Sequence, residues 1–318
     1  MVGIGVLALG LTSLVGCQPE PEIVTIGIVN FSPAMQPAID GFKANMEALG
    51  YIEGETIEYI DEGYDLSQDE LNATAVQLVE REVDLILALT TPAARAAQAA
   101  TVETQTPVVF VPVTDPVGSG LVTSLSEPGG NLTGVTNLSS ENLRLDWLLK
   151  VKPEATKIFV PYNSNDLSSK YALTTATAAS EELGVELFPY PVNNVEEMQQ
   201  ALAEMPEGMD AIFMLPDGLA ISIIDDFVAT ALEHKIPLCV PTTTQVESGA
   251  LLSYGLDLTS ASQQAARLAD QIIKGKKPAE LPVEESEFFL AINLDTANLI
   301  GLRIPDAIIN QADFIFPK

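Results

Sequence analysis

Basic side chains are scarce in this chain of 318 residues, which has 15 Lys and Arg against 44 Asp and Glu and a formal charge of −29. Binding to nucleic acid depends on clustered Lys and Arg that neutralise phosphates. The densest basic stretch is Lys274–Lys277 (KGKK), which is typical of a solvated helix end. The composition therefore excludes a nucleic-acid partner, and the acidity itself indicates surface repulsion rather than a particular chemistry.

Histidine and cysteine are almost absent. His234 is the one histidine, and the two cysteines are Cys17 and Cys239. A transition-metal site draws several ligands from these residue types, so we expect no metal and no cofactor. His234 stands where a helix is predicted to end before a strand, which favours an interaction with the helix dipole over a catalytic role. Cys239 lies in an apolar strand and is predicted to be a small core residue.

No apolar run after residue 17 is long enough to span a bilayer. The apolar residues 2–16 stop at Cys17, and Leu14–Cys17 (LVGC) resembles the lipobox of bacterial lipoproteins. We therefore predict a lipoprotein signal over residues 1–17 that ends at a lipidated Cys17, followed by a polar tether over residues 18–22. The mature protein would then be extracytoplasmic and lipid-anchored to a bacterial membrane. The alternative is a buried N-terminal strand that contains an ordinary cysteine.

One order of signals occurs twice along the chain. Ile26–Asn30 (IGIVN) opens the first copy and Lys157–Asn163 (KIFVPYN) opens the second, while Asp84 matches Asp210 at an offset of 126 residues (210 − 84). Each copy alternates apolar strands with helices, which is the pattern of a parallel sheet covered on both faces. The sequence thus predicts an α/β protein with two doubly wound parallel-sheet lobes that face each other across a cleft.

The predicted boundaries divide each lobe between two pieces of chain. Lobe one is predicted to comprise residues 23–138 plus 250–284, because Leu251–Leu256 is expected to lead back into a helix at Thr259–Lys274. Lobe two then comprises residues 139–249 plus 285–318, with Phe288–Asn293 as the third crossover. Three extended strands would join the lobes as a hinge.

Ligands of doubly wound lobes bind beyond the carboxyl ends of the strands. The loops there contain hydroxyls, carboxylates and aromatic rings but no Lys or Arg, which disfavours phosphate, sulfate and dicarboxylate ligands. A zwitterion or amine with an apolar body fits these loops better. The candidate ligand-binding residues are Phe31, Ser32, Thr90, Thr91, Thr114, Asp115, Tyr162, Asn163, Asp166, Asp217, Thr243 and Tyr254.

Some of these residues have an equally good structural explanation. Ser32, Thr91 and Asp115 each precede a proline, as helix N-caps often do. Tyr254 near a lobe crossover is as well explained by core packing as by ligand contact.

Roles within the set follow from charge and shape. We predict that Asp217 binds a ligand ammonium and that Thr90 and Thr91 hold a carboxylate through hydroxyls and helix N–H groups. Phe31 and Tyr162 would flank the apolar part of the ligand.

Five segments are similar to a known family, and the most specific is the run TDPVGSGLVTSLSEPGGNLTG. The segments are Asp40–Tyr51, Leu85–Ala100, Pro107–Gly134, Gly249–Asp257 and Val283–Arg303. They resemble the extracytoplasmic substrate-binding lipoproteins of ABC importers, and more narrowly the subgroup related to the tryptophan- and tyrosine-binding proteins. The resemblance implies a periplasmic-binding-protein type I fold, a small-molecule ligand such as an aromatic amino acid, and ABC permease and ATPase subunits as partners.

The resemblance also implies that Thr90, Thr91, Asp115, Asn163 and Asp217 are cleft residues. The chain departs from the subgroup in three places. It has Ser-Pro at residues 32–33 where His-Pro is frequent, Asp-Gly at 217–218 where Asp-Asn is frequent, and no Asp within residues 241–245.

Two other functions stay open at this point. The same closing lobes would serve a sensor that presents its ligand to a membrane receptor. A cleft enzyme is the other alternative, and it would need a base such as Asp217 with a raised pKa.

Overall fold

The computed structural model describes residues 23–65, 67–137 and 141–317. The predicted signal, Cys17 and the tether therefore lie outside the described residues. The strands are β1 (Val24–Asn30), β2 (Ile57–Asp61), β3 (Leu85–Leu89), β4 (Val108–Val113), β5 (Leu132–Thr136), β6 (Lys157–Asn163), β7 (Glu186–Val192), β8 (Ala211–Phe213), β9 (Leu238–Thr242), β10 (Leu252–Leu256), β11 (Glu284–Glu285), β12 (Phe288–Asn293) and β13 (Phe314–Phe316).

Helices connect most of these strands. They are α1 (Gln36–Ala48), α2 (Gln68–Glu80), α3 (Thr90–Ala100), α4 (Glu141–Val151), α5 (Leu167–Leu183), α6 (Val195–Ala203), α7 (Gly218–Ser222), α8 (Ile224–His234), α9 (Thr243–Glu247), α10 (Leu258–Ile273), α11 (Leu294–Leu299) and α12 (Asp306–Ile309), with short 3-10 helices at Pro33–Met35 and Pro278–Glu280. No helix in the described ranges combines the length and apolarity needed to cross a membrane.

The strands form two sheets, one for each lobe. Their orders are β2-β1-β3-β4-β5-β11 and β7-β6-β8-β9-β10-β12-β13. The first five strands of each sheet run parallel in the same spatial order. The predicted duplication is therefore confirmed, as is the α/β class with two doubly wound parallel-sheet lobes.

Strand β3 shows why such a sheet needs a continuous apolar sequence. Ile86 and Ala88 pack in one core with residues of α2 and α3, whereas Leu85, Leu87 and Leu89 pack in another with residues of α1 and α10. Successive side chains of a strand point to opposite faces, so a sheet covered on both faces buries every residue of the run.

The matched aspartates of the two copies, Asp84 and Asp210, have the same structural role. The Asp84 carboxylate accepts the Thr25 N–H at 2.8 Å, where β1 begins. The Asp210 carboxylate accepts the N–H groups of Thr156 at 2.8 Å and Lys157 at 3.0 Å, where β6 begins. Each aspartate thus connects the start of the lobe's first strand, β1 or β6, to the turn that precedes the adjacent strand, β3 or β8.

Two predicted boundaries are wrong. Residues 250–256 were assigned to lobe one, but β10 pairs with β9 and with β12 of the second sheet. The chain returns to lobe one at Asp257, and α10 then packs against α1. The error arose because a short apolar strand matches either sheet, and only its pairing with β9 decides between them. Glu285, assigned to lobe two, instead pairs with Thr136 of β5.

Candidate ligand-binding site

A cavity lies between the lobes, beyond the carboxyl ends of the strands. Its empty space, counted together with the solvent at its opening, is about 480 Å³. The lining residues are Met35, Thr90, Thr91, Pro92, Pro112, Thr114, Asn137, Asp166, Ser168, Pro216, Asp217, Gly218, Ile221, Pro241, Thr242, Leu256 and Leu258.

The two lobes touch each other beside this cavity. The Ser168 hydroxyl of lobe two donates a hydrogen bond to the Thr91 hydroxyl of lobe one at 2.7 Å, and both atoms are buried. The Phe31 ring of lobe one packs so closely on Gly218 of lobe two that a Cβ at that position would collide with it. The structure therefore shows the closed arrangement of the lobes.

Thr90 has a backbone conformation that its side chain disfavours. Its φ is +79°, a left-handed value that costs a β-branched residue about 1–3 kcal/mol. Its Oγ1 is buried and has no hydrogen-bond partner within the described structure. Helix α3 begins at this residue, and Leu89 before it supplies no side-chain cap. The strain thus holds an unpaired hydroxyl beside uncapped helix N–H groups at the cavity wall.

Asp217 is buried, with 1% of its surface exposed, and its carboxylate accepts four hydrogen bonds. The donors are the N–H of Asn163 at 2.5 Å, the Ser169 hydroxyl at 2.9 Å, and the N–H groups of Leu219 at 2.9 Å and Ala220 at 3.3 Å. Burial raises the pKa of Asp217, and these hydrogen bonds oppose that rise. The carboxylate that sequence analysis assigned to a ligand ammonium therefore also caps α7.

Asp166 is the second buried carboxyl group of the site, with 8% of its surface exposed. Burial, followed by the negative charge of Asp217, raises the pKa of Asp166 to about 7. Its Oδ1 accepts the Ser168 N–H at 2.8 Å and so caps α5. Asp217 accepts more hydrogen bonds than Asp166, and these hydrogen bonds favour its ionised form. No Lys, Arg or His is among the described residues that line the cavity.

Asn137 lines the cavity but was missed by the sequence analysis. It follows β5 at the first crossing between the lobes, has 8% of its surface exposed, and its buried Oδ1 has no hydrogen-bond partner in the described structure. The rule that found the other loops, reading just past each apolar strand, would have found Asn137 if applied to Leu132–Thr136. Ser168 was missed as well, and only its packing against lobe one reveals it.

Thr114 lines the cavity and is buried, whereas seven other candidates lie outside its lining. Those seven are Phe31, Ser32, Asp115, Tyr162, Asn163, Thr243 and Tyr254. Tyr162 and Tyr254 pack against the lobe-two core, so the expected stacking of Tyr162 on a ligand does not fit its position. Thr243 donates to the Asp257 carboxylate at 3.1 Å, at the second crossing.

Two of the three predicted caps differ from expectation. Ser32 does cap the 3-10 helix at Pro33–Met35. Thr91 lies inside α3 because the helix begins one residue earlier, which leaves its hydroxyl to bridge the lobes. Asp115 accepts the Gly118 N–H at 2.7 Å, but the residues that follow form a turn and not a helix.

The apolar part of the lining consists of proline and aliphatic side chains. Four prolines, at positions 92, 112, 216 and 241, are joined by Met35, Ile221, Leu256 and Leu258. Metal-ligating groups do not contribute, since the described ranges hold no cluster of three or more His, Cys, Asp or Glu placed to bind an ion. The cavity thus combines two carboxyl groups, unpaired hydroxyl and amide groups, and a rigid apolar wall.

Comparison with known proteins shows which family the chain belongs to. The model of the ABC transporter substrate binding protein family matches residues 23–315. The chain belongs to that family. A curated relative of this binding protein is the tyrosine-binding protein of Clostridioides difficile (strain R20291), which is 30% identical over 274 residues, covering 85% of this chain and 78% of the relative.

Solved structures give the fold and the conformation. The ABC domain in complex with L-Trp from Streptococcus pneumonia is 26% identical, with 93% of this chain and 100% of that chain covered and a TM-score of 0.86. The ligand-free, open structure of a substrate-binding protein with adhesive properties from Clostridium difficile has the same identity and coverage but a TM-score of 0.68. The binding protein therefore has the type I periplasmic binding fold, and its lobes are arranged as in the complex, in agreement with the contacts between them.

Proposed function

We propose that the protein captures a zwitterionic amino acid with an apolar, aromatic side chain and delivers it to an ABC importer. The observation that carries the proposal is the pair of buried carboxyl groups, Asp166 and Asp217, in a cavity whose described lining contains no basic side chain. A buried carboxylate without a counter-charge is costly. A ligand ammonium supplies that counter-charge.

Asp166 is the better ammonium partner of the two. The four hydrogen bonds on Asp217 occupy most of the acceptor capacity of a carboxylate. Asp166 lies at the wall between the cavity and the outside, and its charge repels that of Asp217 when the cavity is empty. An ammonium beside Asp166 relieves this repulsion, while Asp217 adds attraction from behind. This revises the assignment to Asp217 alone.

The ligand carboxylate is assigned to lobe one. Thr90 offers an unpaired hydroxyl at the uncapped N-terminus of α3, where helix N–H groups favour an anion. The Asn137 amide contacts the ligand from the first crossing, where its oxygen, without a partner among the described residues, accepts a hydrogen bond from the ligand ammonium. The Thr90 hydroxyl and the helix N–H groups are neutral donors, which suit the single carboxylate of a zwitterion because its charge is already balanced by its own ammonium.

The side chain of the ligand packs on the proline and aliphatic wall. Proline rings present flat, rigid apolar faces, which match the face of an aromatic ring better than they match a polar sugar. Relatives named for tyrosine and solved with L-Trp support the choice of an aromatic amino acid.

The cellular setting follows the family. The protein acts outside the cytoplasm, with Cys17 as a lipid anchor and with permease and ATPase subunits as partners. It binds its ligand without chemical turnover, because each of the two cavity carboxyl groups caps a helix and no histidine is among the described residues that line the cavity.

A set of matched ligands tests the proposal. Calorimetry and thermal-shift measurements would compare L-tryptophan, L-tyrosine and L-phenylalanine with tryptamine, which lacks the carboxylate, and indole-3-propionate, which lacks the ammonium. We expect the amino acids to bind and raise the melting temperature, and indole-3-propionate to bind weakest. Preferential binding of a neutral sugar or nucleoside would refute the proposal.

A further inference from the structure

A second space lies at the mouth of the cleft, outside the cavity. This outer groove is formed by α2 and α3 of lobe one and by the residues leading into α5 of lobe two, and about 940 Å³ of empty space, open to solvent, lies within it. Thr91 and Asp166 line both the groove and the cavity. The two spaces therefore meet where the lobes touch, and a ligand that enters on this side crosses the groove first.

Arg95 supplies the positive charge of the outer groove. It is the one basic side chain among the described residues that line the groove, the cavity or the adjoining pocket at Asp115. It is exposed on α3, one turn beyond Thr91, and no carboxylate of the described residues lies within ion-pair distance of it.

The remaining polar side chains of the groove are uncharged amides. Gln68 and Asn72 lie on the lobe-one wall, where Gln68 donates to Asn72 at 3.0 Å and to the Pro92 carbonyl at 3.3 Å. Asn165 lies on the lobe-two wall beside Asp166. The groove therefore presents a cation on one lobe and a carboxyl group on the other, with hydrogen-bonding groups between them.

We infer that the outer groove is a recognition site for the incoming amino acid, in which Arg95 receives the carboxylate and Asp166 receives the ammonium before the lobes close. This inference rests on the proposed function. A chain of charge −29 repels carboxylates at long range, so a zwitterion approaches ammonium first. Arg95 offsets this repulsion locally and keeps the carboxylate within the groove. The Thr90 hydroxyl and the N–H groups at the start of α3 replace Arg95 as its partners once the ligand has moved inward.

Stopped-flow binding of L-tyrosine tests the inference. Trp147, the one tryptophan, lies 6.0 Å from the Tyr254 ring near the second crossing, and its fluorescence gives the signal. We expect Arg95→Gln to lower the association rate constant by about three- to tenfold and to leave the dissociation rate constant unchanged. The difference should shrink as salt is added, because screening weakens the attraction between exposed charges.

Arg81→Gln is the matched control. Arg81 follows α2 on the same lobe, is exposed, and forms an ion pair with Glu62 at 2.8 Å, away from the groove. Arg81→Gln changes the net charge by the same amount as Arg95→Gln but lies away from the groove. The association rate constant of this variant should therefore equal that of the wild type.

The outcomes separate the inference from the proposed function. Equal association rates for the Arg95 and Arg81 variants would overturn the inference while wild-type binding upholds the function. An Arg95 variant with a faster dissociation rate and an unchanged association rate would also overturn it, because Arg95 would then hold the ligand in the closed complex. If the wild type binds no amino acid by calorimetry, the proposed function itself fails.

Discussion

Asp166 links ligand binding to the stability of the empty protein. Its pKa of about 7 in the folded chain lies above the ordinary value of 3.8. Between these values the folded chain binds a proton that the unfolded chain lacks, so the free energy of unfolding falls as pH rises toward and through about 7. Above that pH, the folded protein bears the full cost of two neighbouring buried charges.

Asp166→Asn should therefore stabilise the empty protein at about pH 8, by on the order of 2 kcal/mol, with the gain vanishing toward about pH 4. Asparagine can still cap α5, because its side-chain oxygen accepts the same N–H. The variant should lose about ten- to hundredfold in affinity for an amino acid. Melting curves across this pH range provide the check, with Glu196→Gln, an exposed change, as the control that should show no gain.

Thr90 offers a test in which two substitutions should rank in an unusual order. At a helical position glycine is normally about 1 kcal/mol less stable than alanine. At Thr90 the left-handed backbone reverses that order, because glycine adopts a positive φ without strain. Denaturant unfolding should thus find Thr90→Gly more stable than Thr90→Ala by about 1 kcal/mol. At Thr177, exposed within α5, alanine should remain the better residue.

Residues that line the cavity were predictable from the sequence where they come directly after a buried strand. Thr90, Thr114, Asp166 and Asp217 were found because they come just after buried strands, and all four line the cavity. Tyr162 follows the same rule but packs against the lobe-two core instead of lining the cavity. The direction of a strand's last side chain depends on its register in the sheet, which local sequence leaves undetermined.

At the scale of elements, α4 is fastened to the second sheet by a buried ion pair. The Arg144 guanidinium donates to the Glu141 carboxylate at 2.8 Å and to the Met214 carbonyl at 2.8 Å, and its Cζ lies 4.3 Å from the centre of the Phe213 ring. Met214 immediately follows β8 and leads to the Asp217 loop. The first helix after the crossing is therefore tied to the segment that carries a ligand-site carboxylate.

Arg144→Met should lower the free energy of unfolding by about 3–5 kcal/mol, because it leaves the Glu141 charge buried without its cation. Combining it with Glu141→Gln should recover part of the loss. Lys150→Met on the same helix removes an exposed pair with Asp146 and should cost less than about 1 kcal/mol. Chemical denaturation of the wild type and these three variants measures the loss in free energy of unfolding. Similar losses for Arg144→Met and Lys150→Met would contradict the prediction.

Element order was predictable from periodicity, but sheet membership was only partly so. The helix at Thr259–Lys274 was predicted within one residue of the observed Leu258–Ile273. Strand β10 was placed in the wrong lobe because its neighbours in space, β9 and β12, are set by long-range pairing. Strands at a crossing between two similar sheets are the hardest to assign from local pattern.

At the scale of the whole molecule, the fold was predictable because the chain repeats itself. A hinge of three strands between the lobes was expected, but the contacts that show lobe closure join residues far apart in sequence, such as Thr91 and Ser168, or Phe31 and Gly218. These contacts involve small or hydroxylated side chains without a distinctive local pattern. Sequence periodicity describes each lobe well and describes the surface between the lobes poorly.

A disulfide between the lobes should hold the protein closed. The two hydroxyl oxygens of Thr91 and Ser168 are 2.7 Å apart, so Thr91→Cys with Ser168→Cys should form a bond under oxidising conditions. Cys239 is fully buried and should not compete. Bound amino acid should then exchange far more slowly than in the reduced protein, and X-ray scattering should show no expansion when ligand is removed. Free exchange through the oxidised protein would show that ligand enters by another route.

The two lobes share one topology but divide the chemistry of the cavity unequally. Lobe two holds both carboxyl groups, whereas lobe one holds the Thr90 hydroxyl, which has no partner among the described residues, and the uncapped N–H groups at the start of α3. A ligand therefore finds a partner for its ammonium on one lobe and partners for its carboxylate on the other. Opening the cleft divides these partners, so the ligand departs from an incomplete site held by one lobe alone, and the rate of release is set by how often the lobes part.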